Sequence, residues 1–253
     1  MRRPPSPLAV RLLLLAALGG ALWYVLAHIR YHWDFDAVWA YRDIFLAGFS
    51  MTLAVSVGAI ALGLACGLAS GLASVSGNVW LTELAGLYVG AFRGTPLLVQ
   101  ILIFYFCVGV VVHLDSPYLI GTAALGFFSG AYISEMVRAG VESVDRGQWE
   151  TALSSGLTRR QALFYVVFPQ ALRRIVPPVT GQFVSCIKDS SLLSVISVRE
   201  LTKAAEVVNA TTYRTFEAYL PLALFYLLLT WPLSHLTGRL EKGIRNGAAS
   251  LPR

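Results

Sequence analysis

Apolar positions along this chain gather into long unbroken runs, about Leu12–Ile29, Ile44–Leu72, Leu84–Val112, Pro117–Val137, Ile175–Val198 and Ala218–Leu236. A bilayer-crossing helix needs about 20 mostly apolar residues, so each run is long enough to be a span. The pattern predicts an all-α polytopic membrane protein with about six transmembrane helices. Arg93-Gly94-Thr95-Pro96 interrupts the third run near one end, and Pro96 disturbs any helix there, so this run reads as one disturbed span or two pieces. In the second run Ala59, Gly63, Gly67 and Gly71 repeat every four residues. They leave one helical face almost bare, for close packing inside the bundle or for dimerisation.

Composition agrees. Of 253 residues 56% are hydrophobic and only 13% charged, with a mean hydropathy of +0.64; soluble domains carry about 25% charged residues. Cys66, Cys107 and Cys186 lie apart inside apolar runs without a C-x-x-C spacing, as small core residues do. His28, His32, His113 and His235 fall at span ends, where an interfacial role suffices. The net charge of +6 does not indicate nucleic acid, because its distribution follows the membrane. With the N-terminus inside, fourteen Lys and Arg fall on the cytoplasmic side, among them Arg2, Arg3, Arg93, Arg138, Arg173, Arg174 and Arg253; five fall outside, and Lys188 lies within a span. By the positive-inside rule both termini are then cytoplasmic. The basic start and first apolar run also fit a signal peptide, but Gly19-Gly20-Ala21 makes a poor cleavage site and the run continues past it. An uncleaved first span is expected, with Trp23 and Tyr24 near the outer interface.

Between the fourth and fifth runs the stretch QWETALSSGLTRRQALFYVVFPQ, Gln148 to Gln170, departs from the pattern. Trp149, Ala152 and Leu153 make one apolar face of a short helix. Gly156 is placed to end it in the left-handed conformation. Thr158 and Gln161 form a capping box that starts a second helix at Arg159, presenting Ala162, Leu163, Val166 and Val167, with Pro169 limiting its continuation. Helices this short need tertiary contacts. The module is a folded loop on its own bundle or a docking element for a partner.

Its spacing is similar to the EAA loop of membrane subunits of ATP-binding-cassette importers: Glu150-Thr151-Ala152, Gly156, then Val166-Val167-Phe168-Pro169. Thr replaces the middle Ala, Val replaces Ile and Phe replaces Leu of that pattern. FRGTPLLVQ (Phe92 to Gln100), SGAYISEMVRAGVESVDRGQWE and IKDSSLLSVISVRELT resemble the polar amino acid branch of these permeases. The resemblance covers about Ile44 to Arg239. It implies a five-span importer core over 44–239 with a coupling loop at 145–170, preceded by an added helix and external segment over 1–43 and followed by a cytoplasmic tail, 240–253. It implies that Gln148, Trp149, Glu150, Thr151, Ala152, Gly156, Thr158, Arg159 and Pro169 couple to an ATPase subunit. It further implies a second permease subunit, an extracytoplasmic solute-binding protein, a polar amino acid substrate and residence in the bacterial inner membrane. The chain has no G-x-x-x-x-G-K-[ST] phosphate loop. No enzyme, cofactor or metal site is expected in it; ATP and Mg are expected on the partner ATPase.

Within the fifth run Lys188 and Asp189 are intramembrane charges, each costing roughly 2.5–3.5 kcal/mol at a helix centre, and so are candidates for function. A zwitterionic substrate needs a cationic and an anionic contact. Lys188 and Asp189 supply these, with hydroxyls from Ser190 and Ser191, or else they neutralise each other and fix packing. Gln100 is a further pathway candidate. Arg93 is a gate residue or a topological anchor, and Glu135 is a further pathway or gate candidate or else a structural partner of Arg138 three residues on. An ion-coupled secondary transporter, with Lys188–Asp189 as coupling pair, and a non-transporting scaffold are the rival readings.

Overall fold

The computed structural model describes residues 6–28 and 31–249. Arg2, Arg3, Ile29, Arg30 and Arg253 lie outside them, as do the last residues of the expected tail. The chain divides into two compact units, Met1–Asp36 and Ala37–Arg253.

The first unit contains α1 (Pro7–His28), 22 residues or about 33 Å at 1.5 Å per residue, enough to span a bilayer. The rings of Tyr31 and Trp33 meet edge-on, and those of Trp33 and Phe35 stack, with centroids 5.2 and 5.8 Å apart. Such an aromatic group suits a membrane interface. The unit ends earlier than the expected division after residue 43. Val38, in the short α2 (Phe35–Trp39), is buried with Phe45, Leu201, Ala205 and Val208.

In the second unit α3 (Arg42–Ser74) is the spine. It runs parallel to α6 (Pro117–Glu142), because Gly63 faces Gly126 and Ser129, Gly67 faces Ile133, and Gly71 faces Val137. A Cβ on Gly67 or Gly71 would stand 2.6 Å from the Cβ of Ile133 or Val137. The four-residue ridge therefore serves packing within the bundle. The third run is two helices, α4 (Val79–Arg93) and α5 (Leu97–Val111), meeting at a 104° bend. Asn78 Oδ1 caps α4 by accepting from the backbone of Trp80, and Tyr88 donates to the carbonyl of Phe127 on α6 at 2.6 Å.

The fifth run behaves differently from expectation. The helix α9 (Phe168–Asp189) starts well before Ile175 and ends at Asp189. A 3₁₀ segment, Ser190–Ile196, follows and is stopped by Ser197 in the left-handed conformation, φ 63°. Among the described residues four helices are long and apolar enough to cross a membrane, five if the bent α4–α5 pair is one span. The remaining predicted span is α9. It has the length, but Arg173, Arg174, Lys188 and Asp189 make it amphipathic. Ala171, Ile175, Val179, Gln182 and Cys186 form its buried face.

Two more helices complete the unit, α10 (Leu201–Thr212) and α11 (Thr215–Ala249). Glu200, fully buried, caps α10: its carboxylate accepts from the backbone N–H of Thr202 and of Lys203, both at 2.8 Å, and from the Tyr226 hydroxyl on α11 at 2.9 Å. Burial pushes this carboxyl above its usual range, while the three donated hydrogen bonds hold the rise back. A glutamate ahead of an apolar helix start is a capping signal in the sequence. The tie to Tyr226, 26 residues on, is not readable there.

Candidate functional site

Three groups of residues form the candidate machinery. The first is the polar module after α6. Asp145 Oδ1 accepts from the backbone of Gly147 at 2.7 Å and starts α7 (Arg146–Ser154). At its other end Gly156 takes φ +84°. The N–H of Leu157 reaches Ala152 O at 3.2 Å and that of Gly156 reaches Leu153 O at 3.0 Å, which satisfies the free carbonyls of the last turn. The capping box is present: Gln161 Oε1 accepts from Thr158 N at 2.9 Å, and Thr158 Oγ1 accepts from Gln161 N at 3.3 Å.

From there the expectation needs two corrections. The second helix is not brought to an end at Pro169. The short α8 (Arg159–Ala162) passes through a π turn, Leu163–Val167, directly into α9, with Pro169 in the first turn after the π segment. Leu153 does not join the buried face. Ala152 is buried and Trp149 packs on the core beneath, whereas Leu153 is 45% exposed, as are Phe164 (43%) and Tyr165 (73%). Glu150, Thr151, Arg159 and Arg160 are exposed with them. Gln170 Nε2 donates to Gln148 Oε1 at 3.1 Å and ties the root of α9 to α7. The module is thus a short helix braced on a span, with a mixed apolar and polar outer face.

The second group surrounds the α4–α5 bend. Gln100 is buried, and its amide donates to the carbonyls of Phe92 (2.7 Å) and Thr95 (3.0 Å) and to Thr95 Oγ1 (2.7 Å). This pathway candidate spends its donors on clasping the elbow. Its Oε1, also buried, is unpartnered. Arg93, beside the bend, lies 3.2 Å from Glu135 Oε2 and over the Tyr132 ring at 5.3 Å. Glu135 also takes two bonds from Arg138, at 2.9 and 3.0 Å, and Arg138 reaches Glu142 at 2.6 Å. The expected Glu135–Arg138 pair is therefore one link of a four-residue chain, and Arg93 is its far end. That link joins residues 42 apart in sequence, which no local pattern reveals.

The third group is the end of α9. Lys188 is exposed and Asp189 half-buried; among the described residues neither belongs to an ion pair. Both stand in the last turn of α9, which gives way to the 3₁₀ segment between Asp189 and Ser190. Ser190 is buried and donates to Ile187 O at 2.8 Å, while Ser191 is half-buried. Behind them Cys186 packs against Ser56, whose buried hydroxyl has no hydrogen-bond partner among the described residues. Away from the core, Arg174, Pro178, Gly181, Ser185 and Lys188 recur at alternating four- and three-residue steps, all exposed or half-buried. They form one stripe along α9.

Comparison with known proteins agrees with this architecture. Residues 59–246 match the family described as the inner membrane component of binding-protein-dependent transport systems. The glutamine transport system permease protein GlnP of Escherichia coli K12 is 36% identical over 215 residues, covering 84% of this chain and 98% of its own. A probable glutamine transporter permease protein, GlnM of Bacillus subtilis, is 38% identical over 205 residues, covering 79% and 94%. Among solved structures, an amino acid ATP-binding-cassette transporter crystallised with histidines superposes with a TM-score of 0.77 at 35% identity, covering 84% of this chain and 99% of that one. The MetNI methionine transporter, at 18% identity and a TM-score of 0.70, shares the fold. The chain belongs to the family of inner membrane components of binding-protein-dependent transport systems and is a membrane permease subunit of an ATP-binding-cassette importer, a transport subunit whose ATPase is a separate chain.

Proposed function

We propose that this chain forms half of the translocation pathway of an importer for polar amino acids, glutamine foremost, in the bacterial inner membrane with both termini in the cytoplasm. The observation that carries the reading is the stripe Arg174–Pro178–Gly181–Ser185–Lys188. A helix of spanning length with a polar face needs water or protein against that face, since lipid would leave the charges unsolvated. A second permease chain, the same or related, supplies the opposite wall. Lys188 offers a cation to a substrate carboxylate, and Asp189 an anion to its ammonium, with Ser191 as a hydroxyl contact. Gln100 acts on the pathway indirectly, by holding the elbow.

The face of α7 bearing Glu150, Thr151 and Leu153 docks on an ATPase subunit that binds ATP and Mg. Closure of two such subunits moves α7, and through Gln148–Gln170 it tilts α9. A solute-binding protein delivers substrate on the outer side. The relatives named for glutamine transport support the substrate class. Differential binding of these partners to outward- and inward-open states biases the alternation.

The test is uptake of labelled glutamine into proteoliposomes holding the assembled importer. Uptake that requires ATP and survives an ionophore is expected; the reverse points to ion coupling. Lys188→Met and Asp189→Asn are each expected to lower uptake at least tenfold with assembly intact. Normal uptake in both variants removes these residues from the pathway. Tagging each terminus and probing it with impermeant reagents checks the sidedness.

A further inference from the structure

We infer that an anionic phospholipid of the inner leaflet occupies a groove between α3, α4 and the root of α9, with its phosphate on Arg159 and Arg160. The leaflet rests on the orientation proposed above. Two cavities, of about 460 and 340 Å³, share Ala69, Ala73 and Leu81 in their walls and so form one continuous groove. Its far end is closed by Tyr88 and Phe127; its near end carries Arg159, Arg160 and Trp149. Between them the walls are apolar apart from small side chains, and no carboxylate lines either cavity.

Three features select the occupant. The groove follows α3 from Ala73 back to Cys66, about 10 Å at 1.5 Å per residue, and continues past the helix end to Ser76, which together fit within half the ~30 Å hydrocarbon thickness. It fits within one leaflet and opens beside α4, whose Trp80, Leu84 and Leu87 are exposed as lipid-facing residues are. Its charged end is lined by Arg159 and Arg160 without a carboxylate, Glu142 and Glu150 lining instead the adjoining cavity of about 720 Å³ that shares Arg159 and Trp149. Neither arginine takes part in an ion pair among the described residues, although Arg138 and Arg93 nearby in the fold are both neutralised. Basic pockets between spans at the cytoplasmic surface bind anionic headgroups, and an indole at that level suits the interface. A zwitterionic lipid also carries a phosphate, but its headgroup cation would sit beside the two guanidinium groups and offset the attraction. The lipid so placed touches α3, α4, Trp149 of α7 and the π turn at Leu163–Phe164, and it props the coupling module against the bundle.

The assembled importer is washed in detergent with an equimolar mixture of phosphatidylglycerol and phosphatidylcholine, without ATP or amino acid. Retained lipid is read by native mass spectrometry, so the result is independent of transport. Preferential retention of phosphatidylglycerol is expected. Arg160→Gln lowers it about fivefold, and the Arg159→Gln/Arg160→Gln pair lowers it further. Ala73→Phe, which fills the groove and leaves both charges, abolishes it. Brominated phosphatidylglycerol gives a reading on the unaltered groove: it is expected to quench fluorescence that Trp149→Phe removes, and brominated phosphatidylcholine to quench less. Equal retention of the two lipids, equal quenching by their brominated forms, or undiminished retention in both the double variant and Ala73→Phe overturns the proposal. So does cross-linking from Leu84→Cys that captures a second permease chain across the groove.

Discussion

Arg93 on α4 and Glu135 on α6 lie 3.2 Å apart and fasten the broken third span to the central helix of the bundle. Glu135 is shared with Arg138, so one carboxylate holds two arginines from different helices. The side chains are 41% and 29% exposed, which limits the pair to about 1 kcal/mol of stability. A double-mutant cycle on Arg93→Gln and Glu135→Gln, read by thermal unfolding in detergent, is expected to return a coupling of about 0.5–1 kcal/mol. Additive effects show that the contact contributes nothing. Glu135→Gln alone is expected to cost more than Arg93→Gln, because it releases both cations.

Gln100 makes three donor contacts across the elbow. Its replacement by Leu strands the carbonyl oxygens of Phe92 and Thr95 and should cost about 1–3 kcal/mol. Hydrogen exchange at residues 92–100 is expected to rise at least tenfold, with α3 and α6 unchanged. Unaltered exchange there sinks the clasp.

Two glycines give opposite expectations for one substitution. Gly71→Ala drives a Cβ into Val137 and should destabilise by about 1–3 kcal/mol. Gly86→Ala meets nothing within 4 Å and should be neutral or slightly stabilising through helix propensity. Equal melting temperatures for the pair remove the argument that α3 and α6 touch backbone to backbone.

Gly156→Ala tests the turn without any steric collision, since nothing lies within 4 Å of the added Cβ. A φ of +84° costs a non-glycine residue roughly 1–2 kcal/mol. Uptake is expected to fall severalfold while both ends of the module keep their helicity. Full uptake means that the turn tolerates the change and that the angle between α7 and α8 is not transmitted.

Glu200 sets a pH dependence. Its folded carboxyl titrates above the usual 4.5, so the folded state holds the proton to higher pH than the unfolded chain. The associated stability is fully present below pH 4.5 and is lost as pH rises through the folded value. Relative to Glu200→Gln, the wild type is therefore expected to lose melting temperature as pH rises from 4.5 toward neutrality. Parallel curves for the two proteins refute the assignment.

What the linear chain determined is what bilayer physics and local hydrogen bonding dictate. Apolar run length set the all-α membrane fold, Gly63, Gly67 and Gly71 marked a close-packed face, and Gly156, Thr158 and Gln161 announced the end of α7 and the start of α8, because caps act within one turn. Tertiary structure decided the rest. A π turn carried α8 through Pro169 into α9, since packing against a core holds together a helix that would stop if isolated. The core took Trp149 and Ala152 and left Leu153 outward, because the bundle has room beneath only part of so short a helix. Arg93 met Glu135, and Glu200 met Tyr226, through packing that brings distant turns to one level. Periodicity names the faces of a helix; which face is covered, and by what, follows only once the neighbouring helices are in place.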